Sequence, residues 1–383
     1  MTFPPNPPAP NPPAPNPPVP TPPVPAPPSN QHPRNTRQPM QTWEDQPPQH
    51  GNPNPYMELL KNARRDFSRV GAGLSVLVVL WLALAMVISA ALYLYLGVED
   101  LPNWGVYVSS SLPLYFVAMP IAVLIMRKVS TVRTQRFDMK PGMFFKLLVM
   151  CFPIMCLGSI IGTVCSMVAS NGQATNRVSE LALTPDVWNV VFMVVLGPFF
   201  EEWMFRKQLI DHTRKYGEKT AILISAVAFG LFHLNMFQFF YAFGLGLIFG
   251  YVYMRTSKLR YSVAMHMLLN FNGGVLVPWI FANMDFDSLE AAQRNIENGQ
   301  IDASSQWISQ NMGSMTAFCV YFLAYFVLIV VGTILLIRER RNFEFYIAPE
   351  ELPKGMRVKA VLGNVGAILF ILITVGGTLY YLL

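Results

Sequence analysis

Nine apolar runs, each near the roughly 20 residues that cross a hydrocarbon core, leave this chain one class of fold. They lie at about 71 to 97, 104 to 126, 144 to 169, 185 to 205, 220 to 233, 236 to 254, 261 to 281, 316 to 337 and 359 to 383. Lipid offers no hydrogen bonds to a backbone, so such runs must form helices that satisfy their own amides. The expected fold is an all-α, polytopic transmembrane bundle of about nine spans. A composition of 52% hydrophobic and 13% charged residues excludes an ordinary soluble protein of 383 residues.

The formal charge of +6 raises nucleic acid as a partner, and the placement of the charges rejects it. Lys and Arg number four at 61–69, five at 127–140, five at 206–219, three at 255–260 and six at 338–359, while the alternate connections hold only Arg177 and Arg294. By the positive-inside rule this puts the N-terminus in the cytoplasm and, after nine spans, the C-terminus outside. The sequence shows no basic region followed by an apolar one at its start and no prenylation signal in Leu379-Tyr380-Tyr381-Leu382-Leu383, so the first span is expected to direct insertion.

Five regions are expected: a tail (1–56), a juxtamembrane segment with three spans (57–184), a core (185–281), an acidic outer loop (282–315) and two last spans (316–383). The tail carries a proline repeat, NPPAP, NPPAP, NPPVP, TPPVP. Proline fixes φ and removes amide donors, which predicts a disordered or polyproline II cytoplasmic tail. Such a tail suits either a solvated spacer or a ligand for a Pro-motif-binding partner. Lys61, Arg64, Arg65 and Arg69, set among apolar residues, predict a short interfacial helix ahead of the first span. Cys151, Cys156, Cys165 and Cys319 fall inside apolar runs with no zinc or disulfide spacing and read as packing residues. Gly246 and Gly250 form a G-x-x-x-G expected to pack helices; Gly273 and Gly274 read first as packing too.

Inside the core, ionisable groups recur where hydrocarbon should reject them, and such groups mark functional sites. Three strings carry them: Glu201-Glu202-Trp203-Met204-Phe205-Arg206, Phe229-Gly230-Leu231-Phe232-His233, and His266-Met267-Leu268-Leu269-Asn270. Residues four apart share a helix face, so each segment offers one polar edge. At about 1.5 Å per residue the strings reach a common cavity, expected to open from the cytoplasmic side. A buried carboxylate beside an imidazole is competent to activate water, and a His with an Asn one turn on can donate to a developing oxyanion. That is a constellation for amide hydrolysis without a covalent nucleophile.

The ordered strings E-E-x-x-x-R, F-x-x-x-H and H-x-x-x-N, across roughly Pro185 to Phe281, resemble the CPBP family of intramembrane proteases, the CAAX proteases and bacteriocin-processing (Abi) enzymes. The resemblance implies an intramembrane endopeptidase in which Glu201 and His233 activate water. It makes His266 and Asn270 the oxyanion hole, with Glu202, Arg206 and Phe229 in support. It implies a membrane-embedded or lipidated peptide or protein substrate, of prenylated CAAX or bacteriocin-like type, and a bacterial plasma membrane setting. Family members are described both as metalloproteases and as glutamic-type enzymes. Were Zn²⁺ bound, Glu201, His233 and His266 would be its candidates, and with neither His-x-x-x-His nor Glu-x-x-His in the chain the balance favours no tightly bound metal. The family also contains non-catalytic immunity and scaffold proteins. A secondary transporter is a further alternative, against which the lack of paired internal repeats counts.

Overall fold

The polar start of the first membrane helix sets how the bundle is tied together at its basic end. A computed structural model describes residues 55–176, 186–283, 286–298 and 301–382. The proline repeat, Arg177 and Asp285 lie outside the described residues. Residues 53–383 form one compact unit. The described residues are helices joined by short connections: α1 (Pro55–Leu96), α2 (Asn103–Met126), α3 (Pro141–Ala169), α4 (189–213), α5 (Glu218–Phe232), α6 (Met236–Thr256), α7 (Leu259–Ala282), α8 (Phe286–Glu297), α9 (Ile301–Glu339), α10 (Lys354–Val361) and α11 (Val365–Leu382).

Seven of these, α1, α2, α3, α6, α7, α9 and α11, are long and apolar enough to cross a membrane. The protein is therefore a multi-pass, all-helical membrane protein. The other two expected spans are helical as well. They are α5, of 15 residues, and α4, whose turns widen to π form on both sides of Gly197–Glu202. Pro198 there lacks an amide donor, and an interrupted ladder is where π turns form.

The separate interfacial helix expected at 56–69 is absent, because α1 runs unbroken from Pro55 into the span. Of its polar groups, Arg64, Asp66 and Arg69 are tied to protein, whereas Lys61 and Arg65 stay exposed. The Arg64 guanidinium donates to the Gly363 carbonyl (2.8 Å from Nε) and Arg69 Nη1 to that of Lys128 (3.1 Å). Asp66 is buried and accepts from Lys215 Nζ (3.0 Å) and the Tyr216 hydroxyl (2.8 Å), while Lys215 also donates to Ser130 (2.9 Å). Burial of the Tyr216 phenol and its bond to the Asp66 carboxylate hold it well above the ordinary tyrosine range. A buried charge must be paired, and this cluster pairs α1 with the end of α4.

Two main apolar clusters fill the bundle. One joins α1 and α2 to α4 and α5, through residues such as Leu77, Met119, Phe205 and Phe229. The other joins α3, α6 and α7 through Met150, Phe249 and Met265. Close helix approach brings α6 into position: a Cβ at Gly158 would stand 2.5 Å from the Tyr241 Cα, and one at Gly162 2.6 Å from the Phe237 carbonyl oxygen. The G-x-x-x-G packs as expected, with Gly246 on Ala226 and Gly250 on Ile222. Gly273 does not pack; a Cβ there would meet nothing within 4 Å. Large apolar side chains on the outer faces of α3 and α9, among them Leu157, Val168, Leu323 and Phe326, stay exposed, as lipid contact requires. The four cysteines are free thiols.

Candidate active site

Glu201 and Glu202 are adjacent on α4, so the helical turn of about 100° per residue sends them to different surroundings. The Glu201 side chain keeps 17% of its exposure and faces a cavity, while that of Glu202 is fully buried (0%) between helices. Glu202, expected with Arg206 in a supporting role, faces His266 and Arg206. Glu202 Oε1 lies 3.2 Å from His266 Nδ1, and Oε2 lies 3.1 Å from Arg206 Nε. The second approach lacks hydrogen-bond alignment, so charge holds it. Arg206, itself fully buried, donates from Nη1 to Ser225 Oγ (3.1 Å) and lies 4.6 Å over the Phe229 ring. Ser225 Oγ in turn donates to the Phe205 carbonyl (2.8 Å), tying α5 to α4.

His233 ends α5. Its Nδ1 meets the Phe229 carbonyl at 2.7 Å, which makes Nδ1 the protonated nitrogen and leaves Nε2 with a lone pair. The chain reverses directly after it: Leu234, buried, takes φ 50°, and Asn235 caps α6 by accepting from the Phe237 amide (2.9 Å). A leucine in the left-handed region is unusual and strained, and such residues cluster at functional turns. The Phe229 ring meets both imidazoles edge-on, at 4.9 Å from His233 and 5.7 Å from His266. On α7, His266 Nε2 lies 3.7 Å from Glu201 Oε2. One turn on, Asn270 Nδ2 donates to the Met193 carbonyl at 2.8 Å, across to α4.

Glu201, His233, His266 and Asn270 thus line one cavity of about 560 Å³, with Phe229 in its wall and Glu202 and Arg206 behind it. Its position differs from expectation. The cavity residues of α2 are Tyr107 to Tyr115, those of α3 include Ser159 and Thr163, those of α6 run from Phe237 to Leu245, and Asn176 lies beyond α3. In each of these helices they belong to the end away from the Lys- and Arg-rich loops at 127–140 and 255–260. The cavity thus lies in the half of the bundle away from the basic loops. Gly273 and Gly274 line the cavity where α7 widens to a π turn, Asn272–Leu276.

Reasoning from the sequence missed the α2 wall. Tyr115 is buried and stacks on Phe200 at 4.6 Å, and Tyr107 donates to Asn189 Oδ1 at 2.8 Å. The signal was present: Tyr107, Ser111 and Tyr115 are spaced by four and put one polar stripe on an apolar helix.

A Zn²⁺ ion needs three or four ligands at about 2.0 to 2.3 Å. Among the described residues no group of three His, Cys, Asp or Glu side chains is spaced to hold a metal. Glu201, His233 and His266 form no such group as placed, although the Nδ1 bonds of His266 to Glu202 and of His233 to a backbone carbonyl are of the kind that also orients a ligating imidazole.

Comparison with known proteins bears on the same segment of the chain. Residues 183–272 match the model of the Rce1-like family, described as type II CAAX prenyl endopeptidase Rce1-like. The chain is also similar to the membrane-embedded CAAX protease MroQ of Staphylococcus aureus (strain USA300), with 34% identity over 89 residues, 21% of this chain and 36% of that protein. It thus spans about a third of the curated relative that it matches. No solved structure matches. The matched segment contains all three polar strings and Glu201, His233, His266 and Asn270 of the cavity, so residues 183–272 of this membrane protein are similar to the Rce1-like CAAX proteases, in line with the resemblance read from the strings.

Proposed function

We propose that this chain is an intramembrane endopeptidase that hydrolyses a peptide bond by attack of an activated water. The observation that carries the reading is the convergence of Glu201, His233, His266 and Asn270, from three helices, on one cavity. Glu201 is the partly exposed carboxylate and His233 offers a free Nε2, so these two take the proton of the attacking water. Glu202 accepts from His266 Nδ1–H, so His266 acts here as the imidazolium, its charge set between Glu202 and Glu201 and its Nε2–H turned toward the cavity. That N–H and the second amide hydrogen of Asn270 are the donors for the oxyanion. His233 then returns the proton to the leaving amine. Arg206 keeps Glu202 ionised in a dry site, and Phe229 fixes both imidazole planes.

The substrate is a membrane-embedded or lipidated peptide segment, reaching the cavity from the side of the bundle away from the basic loops. With those loops in the cytoplasm of a bacterial plasma membrane, that side is the outer one, and an exported or bacteriocin-like peptide fits it better than a cytoplasmic prenylated tail. The test is cleavage of a membrane-embedded peptide library by the purified protein beside Glu201→Ala and His233→Ala, with and without chelator. Cleavage lost in both variants and kept with chelator supports the reading. Cleavage by either variant refutes the mechanism, and loss with chelator replaces it with a metal-dependent one. A folded wild type that cleaves nothing but retains a bound peptide points to the immunity or scaffold role.

A further inference from the structure

The back of the His233 helix carries a second cavity. Between α1, α5, α10 and α11 lies a groove of about 550 Å³ whose walls are almost wholly apolar, including Leu74, Val227, Ala228, Leu231, Phe370 and Ile371. It is separate from the reactive cavity: Ala228 and Leu231 face the groove, whereas Phe229 and His233 face the other way. At its basic-loop end three cations close the rim, Lys219, Lys354 and Arg357. Lys219 lies 4.8 Å over the Phe345 ring and Arg357 pairs with Glu351 at 2.7 Å, while Glu218 beside Lys219 is taken up by Arg255.

From Lys219 to Leu231 the groove follows α5 for about 18 Å at 1.5 Å per residue. That is close to one leaflet of a hydrocarbon core about 30 Å thick. Exposed Leu223, Val358 and Leu362 edge the groove, so it is open along its flank. Apolar walls of one-leaflet length under a cluster of cations match one molecule: a lipid with acyl chains below and an anionic headgroup above. Basic pockets between helices on the cytoplasmic side bind such headgroups.

We propose that this groove binds an anionic phospholipid of the leaflet on the basic-loop side, its phosphate held by Lys219, Lys354 and Arg357. The lipid fills a void that would otherwise leave α5 unsupported behind His233. The experiment titrates phosphatidylglycerol, and separately phosphatidylcholine, into the purified full chain in neutral detergent, reading the melting temperature by tryptophan fluorescence and retained lipid by native mass spectrometry. Phosphatidylglycerol should raise the melting temperature and be retained as one molecule, with phosphatidylcholine much weaker. Lys219→Gln with Lys354→Gln should weaken the effect about thirtyfold, at about 1 kcal/mol for each cation. Val227→Phe, which narrows the groove without touching charge, should abolish the retained lipid while the protein stays folded. Equal stabilisation by phosphatidylcholine, an unchanged titration in the double variant, or the same shift with inorganic phosphate alone overturns the proposal.

Discussion

Removing either member of the Glu202–Arg206 pair should cost far more than removing both. Both side chains are 0% exposed, and their 3.1 Å contact lies one helical turn apart on α4. Breaking a buried pair from one side leaves an uncompensated charge and costs about 3–5 kcal/mol. Arg206→Met leaves Glu202 with His266 at 3.2 Å, which puts it at the lower end of that range. Glu202→Gln leaves the guanidinium with Ser225 and the Phe229 and Phe249 rings at 4.6 and 5.7 Å. Each ring offers about 0.5–2 kcal/mol to a cation, too little to replace a carboxylate. The double variant removes both charges and should lie within about 2 kcal/mol of wild type, since apolar replacement of a buried pair is often neutral. An internal control sits one turn further on: Lys207 and Asp211 have the same spacing at 3.8 Å with Lys207 44% exposed, and Lys207→Ala should cost about 0.5 kcal/mol. The assay is unfolding in mixed micelles by SDS titration, followed by tryptophan fluorescence. Single variants costing less than the Lys207 control, or a double variant as unstable as the sum of the singles, would refute the reasoning.

Asn270→Ala should lower kcat by about 10²- to 10³-fold, as loss of an oxyanion donor does, with KM little changed; a change confined to KM would remove Asn270 from that role. Gly158→Leu should disturb the Tyr241 wall of the cavity, because its Cβ would stand 2.5 Å from the Tyr241 Cα, whereas Gly142→Ala on the same helix meets nothing within 4 Å and should be silent in thermal unfolding and in cleavage. Asp138 accepts from Lys258 (2.7 Å) and from the Tyr261 hydroxyl (2.8 Å), and these bonds lower its pKa from 3.8 to about 2. A carboxyl depressed in the folded state stabilises fully above its unfolded value and loses that effect as pH falls through the folded one. Pepsin cleavage of the 127–140 loop should therefore accelerate between pH 4 and pH 2, and Asp138→Asn should show the faster rate already at pH 4.

Much of the site was legible because membranes penalise buried polarity. Glu201, His233, His266 and Asn270 stand out against apolar neighbours, and their four-residue spacings survive as shared helix faces. Tyr107, Ser111 and Tyr115 were not read, since tyrosine and serine cost lipid too little to stand out from an apolar helix. The basic residues of α1 were read as lipid anchors because the same Lys and Arg pattern serves a membrane surface or the Gly363 and Lys128 carbonyls.

Local chemistry alone therefore determined that this chain is a helical membrane bundle, where most of its spans lie, and which polar groups of the core line one cavity. Apolar length and buried charge are properties of single segments. Only the tertiary structure decided that Glu201 faces the cavity while Glu202 holds His266, and that the cavity lies in the half of the bundle away from the basic loops. It also decided that the opposite face of α5 lines a groove rimmed by cations. Those facts depend on how helices rotate and cross, which is set by close contacts such as Gly158 on Tyr241 between residues far apart in the chain.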